Sequence, residues 1–161
     1  MTKHALEFGK HTARGVHAAI SAAVKFRLGL DSLKEVRVAI QGLGSVGMEL
    51  ATMLYRSGAR LVVSDTAKAK CTQAKKRFKA DVVAPDKILF EPCDVLAPCA
   101  LGNQISTDNA KKLACSVVAG SANNVLRNPA AAQALHAAEI THVPDFISSG
   151  GALIIGANEQ L

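Results

Sequence analysis

The sequence holds no tryptophan, one tyrosine and five phenylalanines, so aromatic side chains make up only 4% of its 161 residues. Hydrophobic residues nonetheless account for 49% of the chain. The interior must therefore be filled by Ala, Val, Leu and Ile, a composition suited to strands covered by helices on both faces. Long apolar runs are missing too. Charges or glycines interrupt every hydrophobic segment well short of the roughly 20 residues that a membrane span needs, and no membrane association is expected. Met1-Thr-Lys-His-Ala-Leu-Glu7 has no apolar stretch of the kind that opens a secretion signal. Cys71, Cys93, Cys99 and Cys115 form no C-x-x-C pair, and no His stands at ligand spacing. Zinc and a secreted disulfide framework are set aside, no metal site is expected, and reduced thiols in a cytoplasmic protein are the expectation.

What is present in excess is positive charge. Nineteen basic residues against 13 acidic ones give a formal net charge of +6. Much of the surplus is concentrated in Lys68, Lys70, Lys75, Lys76, Arg77 and Lys79. A nucleic-acid surface would interleave such a patch with stacking rings or base-reading side chains. Only Phe78 is nearby, and the spacing predicts the solvated outer face of a helix. No nucleic-acid partner is expected.

Along the chain, helical and extended patterns alternate. Ala13, Val16, Ala19, Ile20, Ala23 and Val24 recur at helical spacing, with Thr12 as a candidate N-cap and Leu28-Gly29 as the end. Val36 to Gln41 reads as a short apolar strand, Ser45 to Ser57 as a helix, and Leu61 to Ser64 as a second strand. The lysine-rich helix follows over Ala67 to Lys79. Further strands are expected at Asp81 to Ala84, Asp94 to Ala97, Ser116 to Ala119 and Ile140 to Val143. Helices are expected near Thr107 to Leu113 and from Asn128-Pro129 to Ala138, and the tail from Ser149 to Leu161 is at best helical. Strands alternating with helices at this spacing predict an α/β fold with a doubly wound, mostly parallel sheet, of the Rossmann type, and one domain over 1–161.

The chemistry sits at Gln41-Gly42-Leu43-Gly44-Ser45-Val46-Gly47. G-x-G-x-x-G alone is a weak signal, but here it directly follows a strand and opens a helix. Gly42 would supply a tight turn, Gly44 would let a pyrophosphate approach the backbone, and Gly47 would let helix and strand pack closely. The helix N-terminus adds unpaired N–H groups and a positive dipole end. Asp65 stands at the end of the second strand, 18 residues beyond Gly47, where a carboxylate can take ribose hydroxyls and repel the 2′-phosphate of NADP. NAD is thus the expected cofactor. Lys68 is a candidate phosphate partner that would have to coexist with that carboxylate.

Four stretches together resemble the amino acid dehydrogenases that act on glutamate, leucine, phenylalanine and valine. They are Thr12-Ala-Arg-Gly-Val-His-Ala-Ala-Ile, Val38-Ala-Ile-Gln-Gly-Leu-Gly-Ser-Val-Gly, Cys93-Asp-Val-Leu-Ala-Pro-Cys-Ala-Leu-Gly102 and Val118-Ala-Gly-Ser-Ala-Asn-Asn-Val-Leu126. Val143-Pro-Asp-Phe-Ile is a weaker fifth. The chain is similar to that family's C-terminal, NAD-binding domain, most of all to the phenylalanine and leucine enzymes. The resemblance implies oxidative deamination of an L-amino acid to a 2-oxo acid, with hydride passing to NAD. It implies that Gly42, Leu43, Gly44, Ser45, Val46, Gly47 and Asp65 hold pyrophosphate and adenine ribose. Ala100 and Leu101 would lie beside the adenosine half, Thr12 near the nicotinamide carboxamide, and Asn123 near the nicotinamide ribose and the substrate. On the residues alone, Thr12 reads equally well as a helix cap, and Asn123-Asn124 as a turn.

Two departures from the family pattern bear on activity. The family's catalytic lysines belong to an N-terminal domain, and only about a dozen residues precede Thr12, the first 30 reading as a helical linker. No catalytic residue is therefore expected on this chain, and the amino acid substrate would need a second domain. After Pro144-Asp145-Phe146-Ile147, Ser148-Ser149-Gly150-Gly151 stands where the family carries Asn-Ala-Gly-Gly. A free-standing NAD-binding or NAD-sensing module acting through a protein partner is the competing expectation. Apolar surface on the first helix would favour self-association into a homo-oligomer.

Overall fold

The computed structural model describes residues 3–150, with side-chain surroundings from Glu7 onward. The predicted helix near the tail falls largely outside those residues. Six strands form one sheet: β1 (Arg37–Gln41), β2 (Arg60–Ser64), β3 (Asp81–Val82), β4 (Val95–Pro98), β5 (Val117–Val118) and β6 (Thr141–His142). Their order is β3-β2-β1-β4-β5-β6, and every pairing is parallel. The helices are α1 (Lys3–Leu28), α2 (Ser45–Arg56), α3 (Lys68–Phe78), α4 (Thr107–Ala110), α5 (Pro129–Ala137) and α6 (Asp145–Ser148), with one 3-10 turn at Ile88–Phe90. This is the doubly wound α/β architecture of Rossmann type.

Alternation along each strand explains the two layers. Val38 and Ile40 of β1 join Leu61, Val63, Val95 and Ala97 on one face, beneath α1, α2 and α3. Ala39, Val62, Leu96 and Val118 face the other way, onto Ile88, Ala110 and Leu135. Successive side chains of a strand point to opposite faces, so both sets are buried and the strands read as continuous apolar runs. Ile20, Ile40, Leu50, Leu54 and Leu96 are wholly buried. Each contributes about 1.5–3 kcal/mol relative to an exposed side chain.

The chain runs outward from β1 through β2 to β3, then returns to lay β4 on the other side of β1. Connections leaving β1 and β4 therefore diverge to opposite faces, and a crevice opens at the carboxyl ends of those strands. That geometry positions the site.

Several elements differ from expectation. The first helix starts well before Thr12, and Thr12 is an interior residue whose Oγ1 donates to the Phe8 carbonyl at 3.1 Å, so it caps nothing. The helical-spacing stripe Ala13, Val16, Ile20 and Val24 is fully buried, and among the described residues of α1 the large exposed apolar side chains are Phe8 and Phe26. β3, β5 and β6 each pair over two residues only. α4 stops at Ala110, where Lys112 N–H turns back to the Asn109 carbonyl. The lysine-rich helix is as expected: Cys71, Ala74 and Phe78 face inward, and Lys68, Lys70, Lys75, Lys76 and Arg77 are exposed. No helix among the described residues is long and apolar enough to cross a membrane, and no group of three or more potential metal ligands occurs among them.

Candidate functional site

The site is built at the junction of β1 and α2. Gly42 adopts φ +94°, a conformation that L side chains rarely take, and its N–H donates to the Ser64 carbonyl at 2.7 Å. A Cβ there would lie 2.7 Å from Ala100 Cβ. At Gly47 a Cβ would lie 2.0 Å from the Gly42 carbonyl oxygen, so α2 can approach the turn only because position 47 is glycine.

Gly44 is different. Its φ of −69° and ψ of −164° suit any residue, and a Cβ built on it meets nothing within 4 Å. Neither backbone strain nor a neighbour in the protein requires glycine at this position. It is the N-cap of α2, yet no side chain hydrogen-bonds to the first-turn amides, and no acidic residue stands in that turn. The unpaired N–H groups and the positive end of the helix dipole are thus open to an anion.

Asp65 braces the turn from the neighbouring strand. Its Oδ2 accepts from Leu43 N–H at 2.7 Å, and its Oδ1 accepts from Ala67 N–H at 2.8 Å. Lys70 Nζ stands 3.7 Å from Oδ2, so the nearby cation is Lys70, whereas Lys68 lines an adjoining groove beside Thr72 and Pro85. Burial alone would raise this carboxyl, but the Ala67 and Leu43 amides and Lys70 outweigh it and hold the pKa below its ordinary value.

Gln41, Gly42, Ser64, Asp65, Ala100, Leu101 and Gln104 are among the residues lining a cleft of about 420 Å³. Leu101 is well exposed at its rim. Gln41 and Ser64 pair in register at the ends of β1 and β2. Gln41 Oε1 and Ser64 Oγ are both buried, and neither has a hydrogen-bond partner among the described residues. Such orphaned groups cost free energy unless a ligand or water meets them. Gln41 opens the glycine stretch singled out in the sequence, whereas Ser64 was not expected at the site; each is a polar residue closing an otherwise apolar strand beside the glycine turn.

The predicted residues thus divide. Gly42, Asp65, Ala100 and Leu101 share the cleft, and Gly44 to Gly47 form the adjoining turn. Leu43 N–H belongs to that turn, while its side chain is buried in the core. Ser45 and Val46 open α2, and α1 lies close by, since a Cβ on Gly9 would sit 3.0 Å from Ser45 Cβ. Thr12 is buried in that helix and does not line the cleft. Asn123 stands exposed beyond the carboxyl end of β5, also outside the cleft lining; its neighbour Asn124 donates N–H to Asp145 Oδ2 at 2.9 Å.

The nonstandard Ser148-Ser149 run has a structural role. Ser148 is fully buried, and its Oγ donates to the Gly120 carbonyl at 2.6 Å, tying α6 to the segment after β5.

Known proteins place this geometry in context. The leucine dehydrogenase of Thermoactinomyces intermedius is 42% identical over 150 residues, covering 93% of this chain and 41% of that enzyme. The phenylalanine dehydrogenase of the same organism is 35% identical over 150 residues, covering 92% of this chain and 41% of that enzyme. The crystal structure of L-tryptophan dehydrogenase from Nostoc punctiforme superposes with a TM-score of 0.88 at 37% identity, covering 91% of this chain and 44% of that one. The chain therefore spans about two fifths of the length of the curated relatives it matches. A family model described as glutamate/leucine/phenylalanine/valine dehydrogenase matches residues 7–69 and 62–161. By that match over nearly its whole length, the chain belongs to the glutamate/leucine/phenylalanine/valine dehydrogenase family.

Proposed function

We propose that this chain is the NAD-binding part, corresponding to the C-terminal domain, of an amino acid dehydrogenase that deaminates a nonpolar L-amino acid oxidatively. The observation that carries the reading is Gly44, which the protein's own backbone and packing do not require. A Cβ there meets no protein atom, which leaves the space at the open end of α2 free for a pyrophosphate on the unpaired amides. The orphaned Gln41 Oε1 and Ser64 Oγ fit the same reading, because a nucleoside carries polar groups that can meet them.

In this reading the amides of Gly44, Ser45, Val46 and Gly47 hold the pyrophosphate. Asp65 takes the adenine ribose hydroxyls with its remaining lone pairs and disfavours a 2′-phosphate. Ala100 and Leu101 flank the adenosine half, and Thr12 and Asn123 serve the nicotinamide end. When bound, NAD supplies the hydride acceptor. The chain's residues bind and orient; no catalytic acid or base is assigned to them. Residues 1–161 are read as one domain, with the first 30 linking it to the rest of the enzyme.

The named relatives are dehydrogenases of leucine, phenylalanine and tryptophan, which favours a nonpolar substrate side chain. They also speak against a module that acts only through a protein partner. The test is a fluorescence titration of the pure chain with NADH, followed by an assay with L-leucine and L-phenylalanine in the presence of NAD. Binding without turnover is expected. Turnover by the chain alone would contradict the assignment of acid–base chemistry to the rest of the enzyme, and absence of NADH binding would contradict the whole reading.

A further inference from the structure

Cys93 and Cys115 stand at the approaches to β4 and β5, at the opposite end of the sheet from the cleft. Val95 pairs with Val117 in the ladder, and the contact continues upstream. Cys93 N–H donates to the Ala114 carbonyl at 2.9 Å, and Ser116 N–H donates to the Asp94 carbonyl at 3.1 Å. These two bonds bracket the cysteines and set them opposite one another on neighbouring parallel segments. Neighbouring strands lie about 4.8 Å apart, inside the roughly 4.4–6.8 Å Cα span that a disulfide bridges. Both side chains pack against the same apolar cluster around Leu96 and Val118, and both are only half-buried.

The Cys93 thiol, against the opposing effect of burial and together with the amides of Leu96 and Val117, holds Cys115 below its ordinary range. The same contact, with burial, pushes Cys93 up. These directions favour attack by Cys115 and resolution by Cys93. The other two cysteines are placed differently: Cys71 donates to the Asp65 carbonyl, and burial pushes the Cys99 thiol up.

We propose that Cys93 and Cys115 form a dithiol site that undergoes thiol–disulfide exchange with low-molecular-weight disulfides and closes to a Cys93–Cys115 disulfide. The Cys115 thiolate attacks one sulfur of the small disulfide, whose S–S bond breaks. One small thiolate leaves and takes up the proton that Cys115 released. Cys93 then loses its proton and attacks Cys115 Sγ, displacing the second small thiol. Two electrons and two protons pass from the protein to the small disulfide, which ends as two thiols. Nothing in this step depends on nucleotide binding.

The test treats the chain with oxidised glutathione, alkylates the remaining thiols and digests with trypsin. The four free thiols should fall to two. Tandem mass spectrometry should find peptides 88–111 and 113–127 joined through Cys93 and Cys115. Cys93→Ser should retain glutathione on Cys115, and Cys115→Ser should abolish both the link and adduct formation at Cys93. Thermal melts of the reduced variants check that both serine variants fold. Four unreacted thiols, a persistent glutathione adduct on Cys115 of the unsubstituted chain, or links shared equally with Cys71 and Cys99 would each overturn the proposal.

Discussion

At the scale of single residues, the three glycines of one motif answer to different forces, and substitution should separate them. Gly47→Ala drives a Cβ into the Gly42 carbonyl. It should destabilise the fold by about 1–3 kcal/mol, the usual cost of forcing extra atoms into packed structure, measured by urea denaturation. Gly44→Ala should leave stability unchanged, because the position is open and its backbone ordinary. Asp65 makes a prediction of its own. Its folded pKa lies below the ordinary 3.8, so the carboxylate contributes stability that is present above that value. The contribution is lost as pH falls through the depressed folded value. Asp65→Asn should therefore be less stable than the unsubstituted chain at neutral pH, with the gap closing in acid. A gap that stays constant to low pH would mean that the Leu43 and Ala67 amides do not depend on that charge. In binding assays the same variant should accept NAD and NADP more evenly than the unsubstituted chain does.

At the scale of elements, local signals were readable where one residue decides the outcome. Asn128-Pro129 predicted the start of α5, and Asn128 Oδ1 does accept from Ala131 N–H. Asn128→Ala should cost about 1 kcal/mol in chemical denaturation. Elements decided by tertiary packing were harder to read. Thr12 looked like a cap because polar Thr precedes an apolar stripe, whereas the helix continues through it, its hydroxyl satisfied by the carbonyl one turn earlier. The extent of β3, β5 and β6 depends on pairing partners rather than on their own β-branched residues. The short helix α6 was missed because its anchor is distant: Ser148 reaches the Gly120 carbonyl, 28 residues away. Ser148→Ala should leave that carbonyl without its buried hydroxyl donor and lower stability by about 1–3 kcal/mol.

At the scale of the whole molecule, the alternation of apolar strands and helices made the doubly wound sheet legible. The glycine turn in that context marked the corner beside which the cleft opens. The polar floor of the cleft was not legible, because only the parallel register of β1 and β2 brings Gln41 beside Ser64. Asn123 and Thr12 entered through resemblance, and the structure places both outside that cleft. Function rests on whether the open corner at α2 takes a dinucleotide. The most direct measurement is calorimetric titration of NAD into the chain and into Gly44→Ala, with thermal melts of both in parallel. Saturable heat from the unsubstituted chain and at least a tenfold weaker affinity in the variant, at an unchanged melting temperature, is the expected result, about 1.4 kcal/mol or more of lost binding. A folded chain that gives no heat with NAD, or a variant that binds as tightly as its parent, would contradict it.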